Sequence, residues 1–287
     1  MAPVLTNLAP KSFGLKMKKV VLFRKTGSLA DDEKEISAII NAGFDLIVSR
    51  RDIEKGDLVI PRYSLLPFPE EFYADVMVAQ ATCINPSINN HIYVADLGNY
   101  IQDIAEFTPL TWDRIDLIPD NGPFILKGGT NSRKGQWKTM MYAENKSDAI
   151  EIYGRLSNDS LISQQKIYIR QFVKLKKYLD SVNGMPVTKE FRFFVCNSKV
   201  ISGGFYWSNH IDDIKDLGFN DPSIDEVPKH FLQEVISRIS SKINFVVVDV
   251  AQKEDGEWIV VELNDGCQSG LSCNDPDELY SNLMKAL

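Results

Sequence analysis

FVVVDVAQKEDGEWIVVELNDGCQSGLS, residues 245–272, decides how the rest of the chain is read. Two apolar runs, residues 245–250 and 258–263, flank Asp255-Gly256, a dipeptide strongly favoured in two-residue hairpin turns. Such a turn sets Asp249 opposite Glu262 and Val247 opposite Asn264. Alternation then puts Asp249, Glu262 and Asn264 on one face, and Val246, Val248, Val250, Val261 and Leu263 on the core face. Two carboxylates directly opposite one another are destabilising unless something neutralises them. A divalent cation is the simplest neutraliser, and two carboxylates with an amide oxygen form a hard-oxygen set suited to magnesium. A hairpin whose acids point to solvent is the other reading of the same residues.

The stretch VVVDVAQ…DGEWIVVELNDG resembles the metal-binding hairpin of ATP-grasp enzymes, an Asp on one strand and Glu-x-Asn on the next. The resemblance implies an α/β protein with an α+β C-terminal part: an ATP-grasp fold preceded by a small α/β domain. It further implies that Asp249, Glu262 and Asn264 bind the magnesium ions (Mg2+) that bridge the phosphates of ATP.

Composition is compatible with this. The 287 residues suffice for two or three subdomains, and 44% apolar with 25% charged residues is ordinary for a globular protein. No apolar run reaches the roughly 20 residues of a membrane-spanning helix, and no signal-peptide core is evident at the start. A net charge of −7 argues against a general nucleic-acid surface. Cys83, Cys196, Cys267 and Cys273 form no CxxC or zinc spacing, as expected in a reducing cytoplasm. Residues 1–16 are expected to be an irregular lead-in, because Met17 starts a second run that leads straight into a strand.

Working outward, residues 17–120 read as the N-terminal α/β domain. Strands are expected over residues 19–23, 44–48 and 57–61, with an amphipathic helix over 30–41 that carries acids at its start. Strand, helix, strand alternation predicts a mainly parallel sheet. Further helices are expected from residue 67 toward 81 and over 95–107. Arg24 and Arg62, near strand ends where α/β domains bind ligands, are candidate substrate residues.

Residues 121–287 read as the ATP-grasp domain, two lobes with a hinge at 166–175. A strand over 123–127 leads into the cationic glycine-rich loop 128–135 (GGTNSRKG), with a returning strand expected over 136–142. Such a loop can fold backbone donors and ammonium groups over phosphates, although neither GxxxxGK[ST] nor GxGxxG is present. By the resemblance, Lys127 contacts phosphate, with Lys134 and Lys138 as companions. A helix over 145–156 follows, capped by Asn145. KIYIRQFVKL, residues 166–175, is similar to the family's hinge strand, which implies that Gln171, Phe172 and Val173 line the adenine slot. The family has Glu at the position of Gln171 and a later acid for the ribose, where this chain has Lys174, Lys176 and Lys177. KEFRFFV, residues 189–195, forms a hairpin with 199–205 and resembles the family strand whose arginine stabilises an acyl phosphate. Arg192 would then be catalytic with Lys127, and a buried arginine needs a partner that developing phosphate charge would supply. Ser269, in the small-residue loop after the metal strand, is a further candidate substrate residue.

IPRYSLLPF at residues 60–68, with TPLTW at 108–112, is similar to phage and bacterial ATP-grasp proteins of the arginine-and-two-lysine clade. The expected activity is an ATP-dependent carboxylate–amine ligase for small-molecule or peptide substrates, working through an acyl phosphate. A phosphotransferase on the same scaffold and a nucleotide-binding regulatory module stay open as alternatives. No Ser-His-Asp signature is evident among the three histidines.

Overall fold

The run KVVLF is apolar after its first residue, as a strand covered on both faces requires. In the computed structural model, which describes residues 17–25, 27–181 and 184–287, it is the strand β1 (Lys19–Phe23). The lead-in expected over residues 1–16 lies outside the described residues. β1 sits inside a parallel sheet with β2 (Asp45–Ile47), β3 (Leu58–Arg62) and β4 (Thr82–Cys83), in the order β2-β1-β3-β4. Helix α1 (Leu29–Asn41) makes the first crossover, with Asp31 and Asp32 in its first turn, where the helix dipole favours negative charge.

The expected helix from residue 67 narrows to α2 (Pro69–Val78), with proline at its first position. The helix expected over 95–107 is instead broken. α3 (Ile88–Ala95) is capped by Ser87 and ends at Asp96, whose backbone is extended at φ −128°. The Asp96 carboxylate accepts from the N–H of Gly98 at 2.8 Å and so opens the short helix α4 (Leu97–Tyr100). An aspartate that satisfies a new helix start competes well with continuing the old helix.

The second sheet has the order β5-β8-β6-β7 and is antiparallel: β5 (Thr111–Trp112), β6 (Asn121–Gly128), β7 (Tyr142–Asn145) and β8 (Ile167–Gln171). The strand expected over 136–142 is a 3₁₀ turn followed by α5 (Trp137–Met140), and β7 begins only at Tyr142. The segment is rich in good helix formers (Gln, Lys, Met), and the N–H of Met141 bonds the carbonyl of Trp137. α6 (Lys146–Ser157) starts at Asn145 as expected and packs Ala149, Ile152 and Leu156 on this sheet. A two-stranded ribbon, β9 (Lys177–Asp180) with β10 (Pro186–Thr188), follows.

The third sheet, β12-β11-β13-β14, is formed by β11 (Glu190–Cys196), β12 (Lys199–Phe205), β13 (Phe245–Gln252) and β14 (Trp258–Asp265). One face carries Phe191, Phe193, Val195, Val246, Val248 and Val250 into a core shared with α4 and α8 (Lys229–Ile239). The opposite face is divided. Phe194, Cys196, Phe245 and Val247 pack against the first sheet and the closing helix α9 (Pro276–Ala286), while Glu190, Arg192 and Asp249 share the other end. Before α8 lies α7 (Ile211–Asp216), at whose start Ser181, His210 and Asp213 form a hydrogen-bonded row (3.1 and 2.9 Å). No spacing in the chain pointed to this row, and Asp213 in it is largely exposed.

The β13–β14 hairpin reaches the predicted pairing by an unpredicted route. Its loop is closed by the Lys253 N–H to Glu257 O bond at 2.8 Å and so holds three residues, 254–256, one more than the predicted two; Gly256 sits at φ +95°, a conformation suited to glycine. Gln252 therefore pairs with Trp258 and Val250 with Val260, one residue out of register. A β-bulge between Asp249 and Val250 then restores Asp249 opposite Glu262 and Val247 opposite Asn264. The slip also reverses two side chains. Val260 is in the core, whereas Val261, expected there, faces a cleft beside Ile259 and Glu262.

Candidate active site

The bulge disturbs the ladder beside it, and Arg170 on β8 helps satisfy the carbonyls there. Its Nη1 donates to the carbonyl of Val261 at 2.6 Å and its Nη2 to Thr108 Oγ1 at 2.6 Å; Thr108 Oγ1 donates to Val260 O at 3.0 Å. The only signal of Arg170 in the sequence is a charge beside the apolar run IYI, which does not mark it as part of a site.

The second and third sheets face each other across a cleft of about 470 Å³. One end is apolar, lined by Ile125, Met141, Tyr142, Phe172, Val173 and Ile259. Gln171, Phe172 and Val173 all line the cleft. The N–H groups of Gln171 and Phe172 are engaged by Leu110 O and Pro123 O, and none of the described backbone bonds engages that of Val173. Lys138, Lys174, Asp180 and Glu254 also contribute to the lining.

At the other end Lys127, Lys134 and Glu262 line the cleft, and Asp249, Arg192 and Asn264 adjoin them without lining it. Asp249 is fully buried, and its carboxylate receives Arg192 Nε at 2.9 Å and Nη2 at 2.8 Å, a two-point pairing across adjacent strands. The partner of Arg192 is thus an acid of the same cluster, where the sequence analysis expected phosphate. Burial opposes the Arg192 charge, and the Asp249 carboxylate more than restores it. Lys127 on β6 donates to Glu262 at 2.6 Å. Burial by itself would raise the Glu262 carboxyl, but Lys127 and Lys134 hold it well below the usual carboxylate range. Asn264 Nδ2 donates to Asp249 Oδ2 at 3.3 Å, joining all three predicted metal residues to one patch. Its amide oxygen is not used in that contact. Among the described residues no three His, Cys, Asp or Glu side chains form a metal-holding group. The patch reaches three donors only with the Asn264 amide, and the all-oxygen set it then offers fits magnesium partly coordinated by phosphate.

Two further side chains belong here that the sequence did not single out. Glu190, buried on β11, lines the cleft. Burial pushes its carboxyl up to about 7, with Asp249 and Glu262 adding to the rise and Lys134 and Arg192 opposing it. Tyr206 accepts Lys134 Nζ at 2.6 Å, and its ring carries Lys134 Nζ at 4.5 Å and Arg192 Cζ at 4.8 Å from its centroid. One aromatic ring therefore spaces two cations.

The glycine-rich loop does not offer its first backbone donors. The N–H of Gly128 bonds Asn131 O, that of Gly129 bonds Lys166 O, and those of Thr130 and Asn131 bond Gln165 Oε1 at 3.0 and 3.1 Å. Gly129 lies so close to the Asp96 carboxylate that a β-carbon would overlap it. Arg133 pairs with Asp159 at 2.7 Å, leaving Lys134 as the loop cation that reaches the cleft.

The three expected substrate residues have partners of their own. Arg24 lies 4.0 Å from the Tyr63 ring centroid. Ser269 Oγ donates to Asp265 O at 2.8 Å. Arg62 is buried between Glu35 and the turn after β14. None of the three lines the cleft.

Residues 114–283 match the model of the ATP-grasp domain, family 3 of the arginine-and-two-lysine clade. Among solved structures, the D-cycloserine synthetase DcsG is similar over 94% of this chain and 99% of its own, with TM-score 0.59 at 13% identity. A RimK domain ATP-grasp protein from Sphaerobacter thermophilus is similar over 93% of this chain and 98% of its own, with TM-score 0.56 at 11% identity. A RiPP-associated ATP-grasp ligase from Chryseobacterium gregarium, in complex with ADP and a leader and core peptide, is similar over 94% of this chain and 96% of its own. Its TM-score is 0.54 at 11% identity. At these identities the likeness is one of fold. No curated protein matches the chain. No helix among the described residues is long and apolar enough to cross a membrane.

Proposed function

The chain belongs to the ATP-grasp domains of the arginine-and-two-lysine clade, family 3, and on that premise we propose that it is an ATP-dependent carboxylate–amine ligase acting on an amino acid or peptide. The observation that carries the reading is one charged cluster at the polar end of a cleft whose other end is apolar: Lys127, Lys134 and Glu262 line the cleft, and Asp249, opposite Glu262 on the neighbouring strand, holds Arg192 and Asn264 behind them. An adenine fits between the apolar walls, with the N–H of Val173 free to donate to it, and Asp180 or Glu254 available to ribose hydroxyls. The triphosphate then lies at the charged end.

In the reaction a substrate carboxylate oxygen attacks the γ-phosphorus, the bond to the bridging oxygen breaks, and ADP leaves. An amine attacks the acyl carbon, inorganic phosphate departs with the former carboxylate oxygen, and the amine nitrogen loses its proton. Lys127, Lys134 and Arg192 are fixed before any ligand arrives, so they stabilise charge on the transferring phosphoryl group with little reorganisation. Asp249, Glu262 and Asn264 would hold magnesium, which neutralises and aligns phosphate oxygens when bound. The two carboxylates are already paired to Arg192 and Lys127. With metal and phosphate bound, the two carboxylates and the two cations would each keep a partner of opposite charge within the cluster. The peptide held by the Chryseobacterium ligase supports a peptide or amino acid as substrate here.

Calorimetric titration of ATP with and without magnesium tests this. Binding is expected only with magnesium, and Glu262→Gln is expected to weaken it by about tenfold or more, the scale of one charge-assisted contact. A wild-type protein that binds no ATP under either condition would overturn the reading. Trapping by hydroxylamine, once a substrate carboxylate is found, marks the acyl phosphate.

A further inference from the structure

Arg62, the last residue of β3, has every guanidinium nitrogen engaged. Nε and Nη2 meet Glu35 Oε1 at 2.9 and 2.8 Å, and Tyr280 of α9 donates to the same oxygen at 2.5 Å. Nη1 donates to three carbonyls of the turn that follows β14: Gly266 at 2.9 Å, Cys267 at 3.1 Å and Ser269 at 3.1 Å. Carbonyls that converge at the end of a turn present partial negative charge, and a planar cation suits them. The next carbonyl, Gly270 O, accepts Arg192 Nη1 at 2.9 Å. The two arginines therefore grip one five-residue turn from opposite sides, Arg62 from the first sheet and Arg192 from the phosphate end of the cleft. The same turn begins two residues after Asn264.

We propose that Arg62 is a positioning residue, which fixes the turn 266–270 and through Gly270 O sets the direction in which Arg192 presents its guanidinium to phosphate. The identity of that phosphate, the γ-group of ATP, rests on the ligase reading. Arg62 itself touches no reacting atom.

Arg62→Lys is the informative substitution. It keeps the charge that Glu35 needs, but a single ammonium cannot span the carboxylate and three carbonyls as the fork does. Two readouts are taken on the full chain. The first is the Nε–H signal of Arg192 in the nucleotide-free protein, assigned by its loss in Arg192→Lys. The second is the ratio of Mg·ATP to Mg·ADP affinity, which isolates the γ-phosphate. The Arg192 signal is expected to move, and the ATP preference to fall about tenfold, with ADP affinity changed by no more than about twofold. Leu283→Ala, in the same core cluster but at a side chain that makes no hydrogen bond to the turn or to Arg62, lowers stability and is expected to leave both readouts in place. An unmoved Arg192 signal in Arg62→Lys, or a parallel fall for ATP and ADP that Leu283→Ala reproduces, would overturn the proposal. If wild type binds neither nucleotide while the signal still moves, the ligase reading falls and the positioning of Arg192 by Arg62 stands.

Discussion

Glu190 shows how the charged end of the cleft is balanced. It is buried beside two other carboxylates, so its proton is held up to about pH 7, while in an unfolded chain it leaves near 4.5. Between those values the native state binds the extra proton, so stability falls as pH rises through this window. The shift corresponds to about 3 kcal/mol. In the ligand-free protein, Glu190→Gln is expected to flatten the loss of stability across this window, read by denaturant unfolding at several pH values. An unchanged pH slope would mean that Glu190 is ionised throughout. At this scale the residues that repeat a family pattern were legible as neighbours: Asp249, Glu262, Asn264, Lys127 and Arg192 fall in one charged cluster, of which Lys127 and Glu262 line the cleft. Glu190, Tyr206 and Arg170 were not, because their roles come from neighbours distant in sequence. Arg62 was noticed for its position at a strand end, and no local pattern could have revealed that its partners would be carbonyls 204 and more residues away.

The β13–β14 hairpin makes the corresponding point for an element. Its pairing at Asp249 and Glu262 was readable from alternation, yet two departures cancel to produce it: one extra loop residue and one bulge. Apolar alternation reports which side a residue faces but does not count the residues in a turn, so Val261 was assigned to the wrong side. The costs of disturbing these departures should differ. Gly256→Ala adds a β-carbon with nothing within 4 Å, so only the positive φ resists it, and a loss of about 1 kcal/mol is expected. Arg170→Leu removes charge-assisted bonds to Val261 O and Thr108 Oγ1, for an expected loss of about 2 kcal/mol. Equilibrium unfolding of both variants checks the order. Only the second should also weaken ATP binding, because only it frees the bulge that aims Glu262.

Across the whole molecule, the apolar surface of the third sheet is covered on both faces. Residues 93–104 contribute to the core on one face, and the first sheet covers the apolar half of the other. A chain beginning at residue 114, the start of the family match, would lose the first sheet and leave α9 as the remaining cover of Phe194, Phe245 and Val247. Such a fragment is expected to bind hydrophobic dye and to lack a cooperative thermal transition, whereas the full chain should melt in a single one. Two separate transitions in the full chain would contradict this. The parallel N-terminal sheet was legible from its strand and helix alternation, but its dependence on α9, from the opposite end of the chain, was not.

The tethering of the glycine-rich loop has a consequence for how nucleotide is captured. With the N–H groups of residues 128–131 committed to protein oxygens, attraction toward phosphate falls to ammonium and guanidinium groups, which act over distance and not only on contact. Dissolved electrolyte attenuates that pull across a layer about 8 Å thick at physiological strength and about 3 Å at roughly 1 M. Raising sodium chloride should therefore slow nucleotide association far more than it hastens release, making this protein's uptake of ATP responsive to the ionic content of its surroundings.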